Sequence, residues 1–123
     1  MSSTPSNALT DALQEAVGDG LRTVAVADVS EQTYELAYMR PDIDELYTEE
    51  MREDILQEVV LEHIAEARKE DLFTPLDGLE YTVRIYGGGI NLVGWTDDTA
   101  IFVGLDRDLE LVPPAVSVCQ REL

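Results

Sequence analysis

The side chains in this sequence that could carry out chemistry are few, and most of them stand alone. His63 is the single histidine and Cys119 the single cysteine. Neither a two-histidine metal site nor a cysteine cluster can therefore be assembled within one chain. His63 follows Val60 by three residues and Val59 by four, on the border of an apolar stripe. Packing at a helix edge explains it better than ligation. Cys119 lies among Val116, Val118 and Gln120, with Arg121 the one adjacent group able to favour a thiolate. It reads as a small buried apolar residue. To act as a nucleophile it would need His63 brought to it through space. No serine occupies a strand-to-helix elbow.

Two motifs invite a ligand and are better explained without one. Gly87-Gly88-Gly89 could cradle a phosphate, but phosphate loops run from a strand into a helix, and here two alternating runs flank the glycines. A hairpin turn is the expectation. Asp42, Asp44 and Glu53 sit at positions 1, 3 and 12 of a calcium-loop pattern within the cluster Asp42, Asp44, Glu45, Glu49, Glu50, Glu53 and Asp54. Leu46 and Tyr47 fall where an oxygen ligand and a glycine are required, so the pattern fails at its turn. A solvated helix start is the expectation, with no specific metal and no cofactor. Arg40 beside Asp42, and Arg84 on a strand of apolar and Thr residues, read as ion-pair partners rather than ligand anchors.

Carboxylates dominate the composition. The chain has 26 acidic residues against 8 basic ones, a formal charge of −18 over 123 residues. Seven of the basic residues are Arg and one, Lys69, is Lys. In dilute buffer such a charge repels itself and opposes the compact state. At ~1 M salt the Debye length falls to about 3 Å and the penalty largely disappears. The acids are spread from Asp11 to Glu122 rather than gathered in a tail. The apolar fraction of 45% is too high for a solvating chain. These features point to a cytoplasmic protein of an extreme halophile. Nucleic-acid binding is disfavoured because no basic stripe exists to neutralise phosphates. No long apolar run suggests a membrane span, and residues 1–7 lack the pattern of a signal peptide.

The elements that must position these groups follow from periodicity. Ser6 or Asn7 can cap a first helix bearing Leu9, Ala12, Leu13, Ala16 and Val17, which Gly18 and Gly20 stop. Leu21 to Asp28 and Thr33 to Met39 alternate and read as a hairpin. Arg40-Pro41 ends the second run. Thr48 looks like the cap of a long helix reaching Lys69, with Met51, Ile55, Leu56, Val59, Val60 and Ile64 on one wide stripe. Leu79 to Tyr86, Ile90 to Trp95 and Thr99 to Leu105 form a meander, the last two runs apolar on both faces. Pro113-Pro114 suits the first turn of a short terminal helix.

The order α-β-β-α-β-β-β-α is similar to that of the roadblock family of dynein-light-chain-like domains, and profilin- and PAS-like domains share its logic. The run Tyr34-Glu35-Leu36-Ala37-Tyr38-Met39-Arg40-Pro41-Asp42-Ile43, followed by Leu46-Tyr47-Thr48-Glu49-Glu50, resembles a set of small acidic haloarchaeal proteins. So do Leu72-Phe73 and Tyr81-Thr82-Val83-Arg84. The second resemblance brings no chemistry with it. The first implies an α+β domain over 8–123: one antiparallel five-stranded sheet with helices on both faces, after a flexible 1–7. It also implies a homodimer through the central helix and an edge strand, serving as a platform for small GTPases or other proteins. The interface would then involve Met51, Ile55, Val59, Val60, His63, Tyr81, Val83 and Ile85. The expected function is a non-enzymatic interaction module, with a PAS-like small-molecule sensor as the alternative and a small enzyme behind both.

If the charge reflects adaptation to salt, the melting temperature climbs by many degrees between dilute buffer and ~1 M potassium chloride. A flat profile over that range removes the premise.

Overall fold

The computed structural model describes residues 5–69 and 74–122, and the side chains within them except at 5, 6, 63, 66–69 and 74. Five strands form one antiparallel sheet: β1 (Leu21–Asp28), β2 (Thr33–Met39), β3 (Tyr81–Tyr86), β4 (Gly89–Thr96) and β5 (Thr99–Leu105). Their spatial order is β2-β1-β5-β4-β3, so β2 and β3 are the edges. Four helices accompany them: α1 (Pro5–Val17), α2 (Pro41–Asp44), α3 (Glu49–Lys69) and α4 (Val112–Glu122). The α+β class and the single five-stranded antiparallel sheet are those expected from the sequence. None of the described helices is long and apolar enough to cross a membrane.

Three local expectations are corrected. The first helix begins at Pro5, so residues 5–7 belong to it rather than to a leading tail or cap. Proline is accepted there because its missing N–H would have no helical partner. The short helix α2 was not expected. Pro41 occupies its first turn and Ile43 is buried beneath it. Elsewhere the local signals hold. Gly18 takes φ +58° after α1, and the Thr48 hydroxyl accepts the Met51 backbone N–H at 3.1 Å. The strand after α3 starts at Tyr81 rather than Leu79, following a turn in which Asp77 adopts φ 66°.

Successive residues of the inner strands enter different apolar clusters. Ile101, Val103 and Leu105 of β5, with Ile90 and Leu92 of β4, pack against Leu9, Leu13 and Val17 of α1 and Ala115, Val118 and Cys119 of α4. Ala100 and Val93 join Val59 in a second, smaller cluster, with Leu56, Val60, Tyr34, Trp95 and Phe102 at its border. Because side chains alternate along a strand, the two clusters lie against opposite faces of the sheet. The α1–α4 side is the better filled: Leu13, Val24, Leu92, Val103, Leu105 and Ala115 are fully enclosed there.

Arg40 ties together three chain segments at one end of the sheet. Its Nη1 and Nη2 form a fork on the Asp106 carboxylate, both at 2.9 Å. Nε reaches Asp42 at 2.7 Å, and Nη1 also donates to the Asp19 carbonyl at 2.7 Å. The end of β2, the turn before β1 and the loop after β5 thus share one guanidinium. Such bidentate pairs are the stronger class of hydrogen bond. The fork raises the Arg40 pKa, keeping the guanidinium charged, and Arg40 in turn holds the Asp42 carboxyl below its ordinary value. A carboxylate with a lowered folded pKa stabilises the fold at neutral pH and loses that contribution as pH falls through the folded value. Arg40→Met is expected to cost about 1–3 kcal/mol in urea unfolding at pH 7, and the gap from wild type is expected to narrow in acid. An unchanged midpoint at pH 7 contradicts this role.

Candidate functional site

The long helix does not sit flush on its face of the sheet. Beneath it the strand residues are small: Thr23, Ala25 and Ala27 on β1, Ala100 and Gly104 on β5. Ile55, Leu56 and Val59 of α3 form the opposite wall, and Ile43 of α2 lies at one end. Short side chains across from a helix leave space, and a cleft of about 390 Å³ results. That falls within the ~300–1,000 Å³ typical of small-molecule sites. Tyr34, Tyr47, Tyr86 and Phe102 add aromatic surface to its lining.

Two arginines reach this cleft. The pairing of β1 with β5 passes from Leu21–Leu105 directly to Thr23–Gly104, so Arg22 is an extra residue at a bulge. A bulge redirects a side chain, and Arg22 and Thr23, neighbours in sequence, both line the cleft. The Arg22 Nη1 donates to the Gly88 carbonyl at 2.7 Å. A side chain at Gly89 would collide with the same guanidinium, so the glycine turn leaves room for Arg22 to lie against its backbone. Arg52, on the first turns of α3, donates Nη2 to Asp44. Its Nε is buried and meets no acceptor among the described residues, a deficit of about 1–3 kcal/mol.

The acids are distributed unevenly around α3. None of the 21 described residues lining the cleft is Asp or Glu. Roughly one residue in five of the chain is acidic, so about four would be expected in such a lining. A second hollow of about 320 Å³, on the β3 side of the same helix, carries Asp54, Glu58 and Glu62. Glu62 is ion-paired with Arg84 there. Proximity to α3 is thus compatible with carboxylates, and only the β1–β2 side lacks them.

The residues singled out from sequence fall in several places. Val59 is buried against the sheet, Val60 packs at the border of the same cluster and Ile55 lines the cleft. Met51, in the first turn of α3, is 42% exposed. Tyr81 packs on the α1–α4 cluster, its ring over Gly94, whereas Val83 and Ile85 are 38% and 51% exposed on the edge strand. The His63 side chain lies outside the described residues, as do Leu72 and Phe73. Cys119 is fully buried under α1, and burial pushes its thiol up to about 11, which disfavours a thiolate. The glycine run is a hairpin turn between β3 and β4. Asp42 and Asp44 of the acidic cluster are engaged by Arg40 and Arg52. Among the described residues no group of three metal-ligating side chains converges. Sequence reasoning passed over Arg22 and Arg52. The available signal was the succession Thr23, Ala25, Ala27 and Ala100, Gly104, small residues on one strand face opposite a long helix.

A family model described as a domain of unknown function (DUF7522) matches residues 7–123. No curated protein matches the chain.

Proposed function

We propose that this chain, which belongs to the DUF7522 family, is a ligand-binding domain whose site is the cleft between α3 and the sheet. The observation that carries this reading is a cleft of about 390 Å³ walled mainly by apolar and aromatic side chains, with a few polar groups converging on it. It corresponds to the sensor reading of the sequence. None of the described lining residues is Ser, Cys or His, and binding without turnover is the reading we propose. The setting we propose is the cytoplasm of a halophile, where molar salt screens the −18 charge.

The test uses N-phenyl-1-naphthylamine, a neutral apolar fluorophore, in ~1 M potassium chloride. Saturable binding to one site is expected, and Ala25→Phe, which fills the floor of the cleft, is expected to abolish it with the near-ultraviolet circular dichroism retained. Absence of saturable binding, or equal binding by the folded Ala25→Phe variant, contradicts the reading.

A second reading is favoured by a different surface. Val83 and Ile85 are exposed on edge strand β3, and Leu61 and Ile64 project outward from α3. An exposed apolar edge is a template for pairing with another strand. It suits the homodimeric interaction platform, and the small-GTPase partner, that the roadblock resemblance implies. Light scattering in molar salt is then expected to give twice the chain mass, reduced to the chain mass by Val83→Pro. A single-chain mass for the unmodified protein removes this reading and leaves the cleft untouched.

A further inference from the structure

We infer that the cleft takes an organic carboxylate: a planar anionic head on an apolar, aromatic-sized body. This rests on the ligand-binding reading above and assigns the chemistry of its occupant. The body follows from the walls: Ala25, Tyr34 and Phe102 on the sheet and Ile55 and Val59 on the helix, with Tyr47, make a largely apolar and aromatic lining, against which an apolar body gains by leaving water. The head follows from charge. The chain carries 26 acidic residues, yet none of the described lining residues is acidic, and two of its seven arginines are there. The neighbouring hollow, bounded by the same helix and similar in size, holds three carboxylates, so acid is missing from the cleft specifically.

The two guanidiniums are also incompletely used. Arg22 is held by a carbonyl oxygen rather than a carboxylate, and among the described residues it enters no ion pair. Arg52 gives one terminal nitrogen to Asp44 and has a buried Nε without an acceptor. A ligand carboxylate seated beside Arg52 supplies that acceptor. The planar guanidinium suits carboxylate recognition, whereas a lysine would offer only a point charge. Salt sharpens the contrast. At ~1 M the field of the distant surface carboxylates is screened within about 3 Å, while an ion pair inside a desolvated cleft is screened much less. An anion is therefore repelled by the whole protein in dilute buffer but senses the two arginines locally in molar salt.

The experiment compares 2-naphthoate with its neutral analogue 2-acetylnaphthalene, each displacing bound N-phenyl-1-naphthylamine in ~1 M potassium chloride. Naphthoate is expected to bind at least about tenfold more tightly than the ketone. Arg22→Gln and Arg52→Gln are each expected to erase most of that preference while leaving ketone affinity within about twofold. Asn91→Asp, which places a carboxylate in the lining without removing an arginine, is expected to weaken naphthoate and spare the ketone. It also keeps the test open if an arginine variant fails to fold. Equal affinities of naphthoate and ketone for the unmodified protein, or a preference unchanged in the folded variants, overturn the carboxylate assignment while the cleft reading stands. Failure of N-phenyl-1-naphthylamine itself to bind overturns both.

Discussion

The structure depends on one constraint: β5, third of five in the sheet, must be apolar on both of its faces. Ile101, Val103 and Leu105 close one core while Ala100 and Phe102 face the other. A chain with a charge of −18 can fold around such a strand only if its acids stay clear of the inner sheet. They do. β1, β4 and β5 carry a single acidic residue between them, Asp28, at the very end of β1. The other carboxylates stand on helix surfaces, in loops and, as Glu35, at an exposed position of edge strand β2, where water and salt can reach them. Burying even one without a partner would cost more than the marginal stability of a domain this size tolerates.

The two faces are finished differently, and the difference produces the cleft. On the α1–α4 side, branched residues from helix and strand interlock, and most are fully buried. On the α3 side, alanines and a glycine meet a helix that touches the sheet chiefly through Leu56, Val59 and Val60. The apolar cluster along that line is the smaller of the two, so displacing α3 costs less than displacing α1 or α4. A ligand entering beneath it gains the burial that the protein alone leaves incomplete. Arg40 lies beyond this region, fastening the turn before β1 and the α2 loop to Asp106. The frame around the cleft is thereby fixed independently of α3.

Much of the fold was legible because it is written in local patterns. The bounds of β1 and β2 follow from alternation flanked by turn residues, and Thr48 announces α3 through a hydrogen bond that needs only three residues. The prolines of α4 act in the same local way. The cleft was not legible, for physical reasons. One of its two arginines, Arg22, reaches it only because a bulge breaks the two-residue period of β1. A bulge is set by pairing with β5, some eighty residues later. The stripe on α3 was visible as a whole, but its division into an inner part at Leu56 and Val59 and an outer part at Met51 and Ile64 depends on where the helix rests. Periodicity records that a face is apolar and is silent about what covers it.

In the proposed function, a ligand is recognised on one side of the sheet, beneath α3, around Arg22 and Arg52. Amide chemical-shift mapping by nuclear magnetic resonance during a titration with 2-naphthoate in molar potassium chloride tests it residue by residue. Saturable shifts are expected at Arg22, Ala25, Arg52, Val59, Phe102 and Gly104, with Leu13, Val118 and Cys119 across the sheet unmoved. Shifts centred on α1 and α4, on the exposed edge at Val83 and Ile85, or nowhere at all, would contradict it.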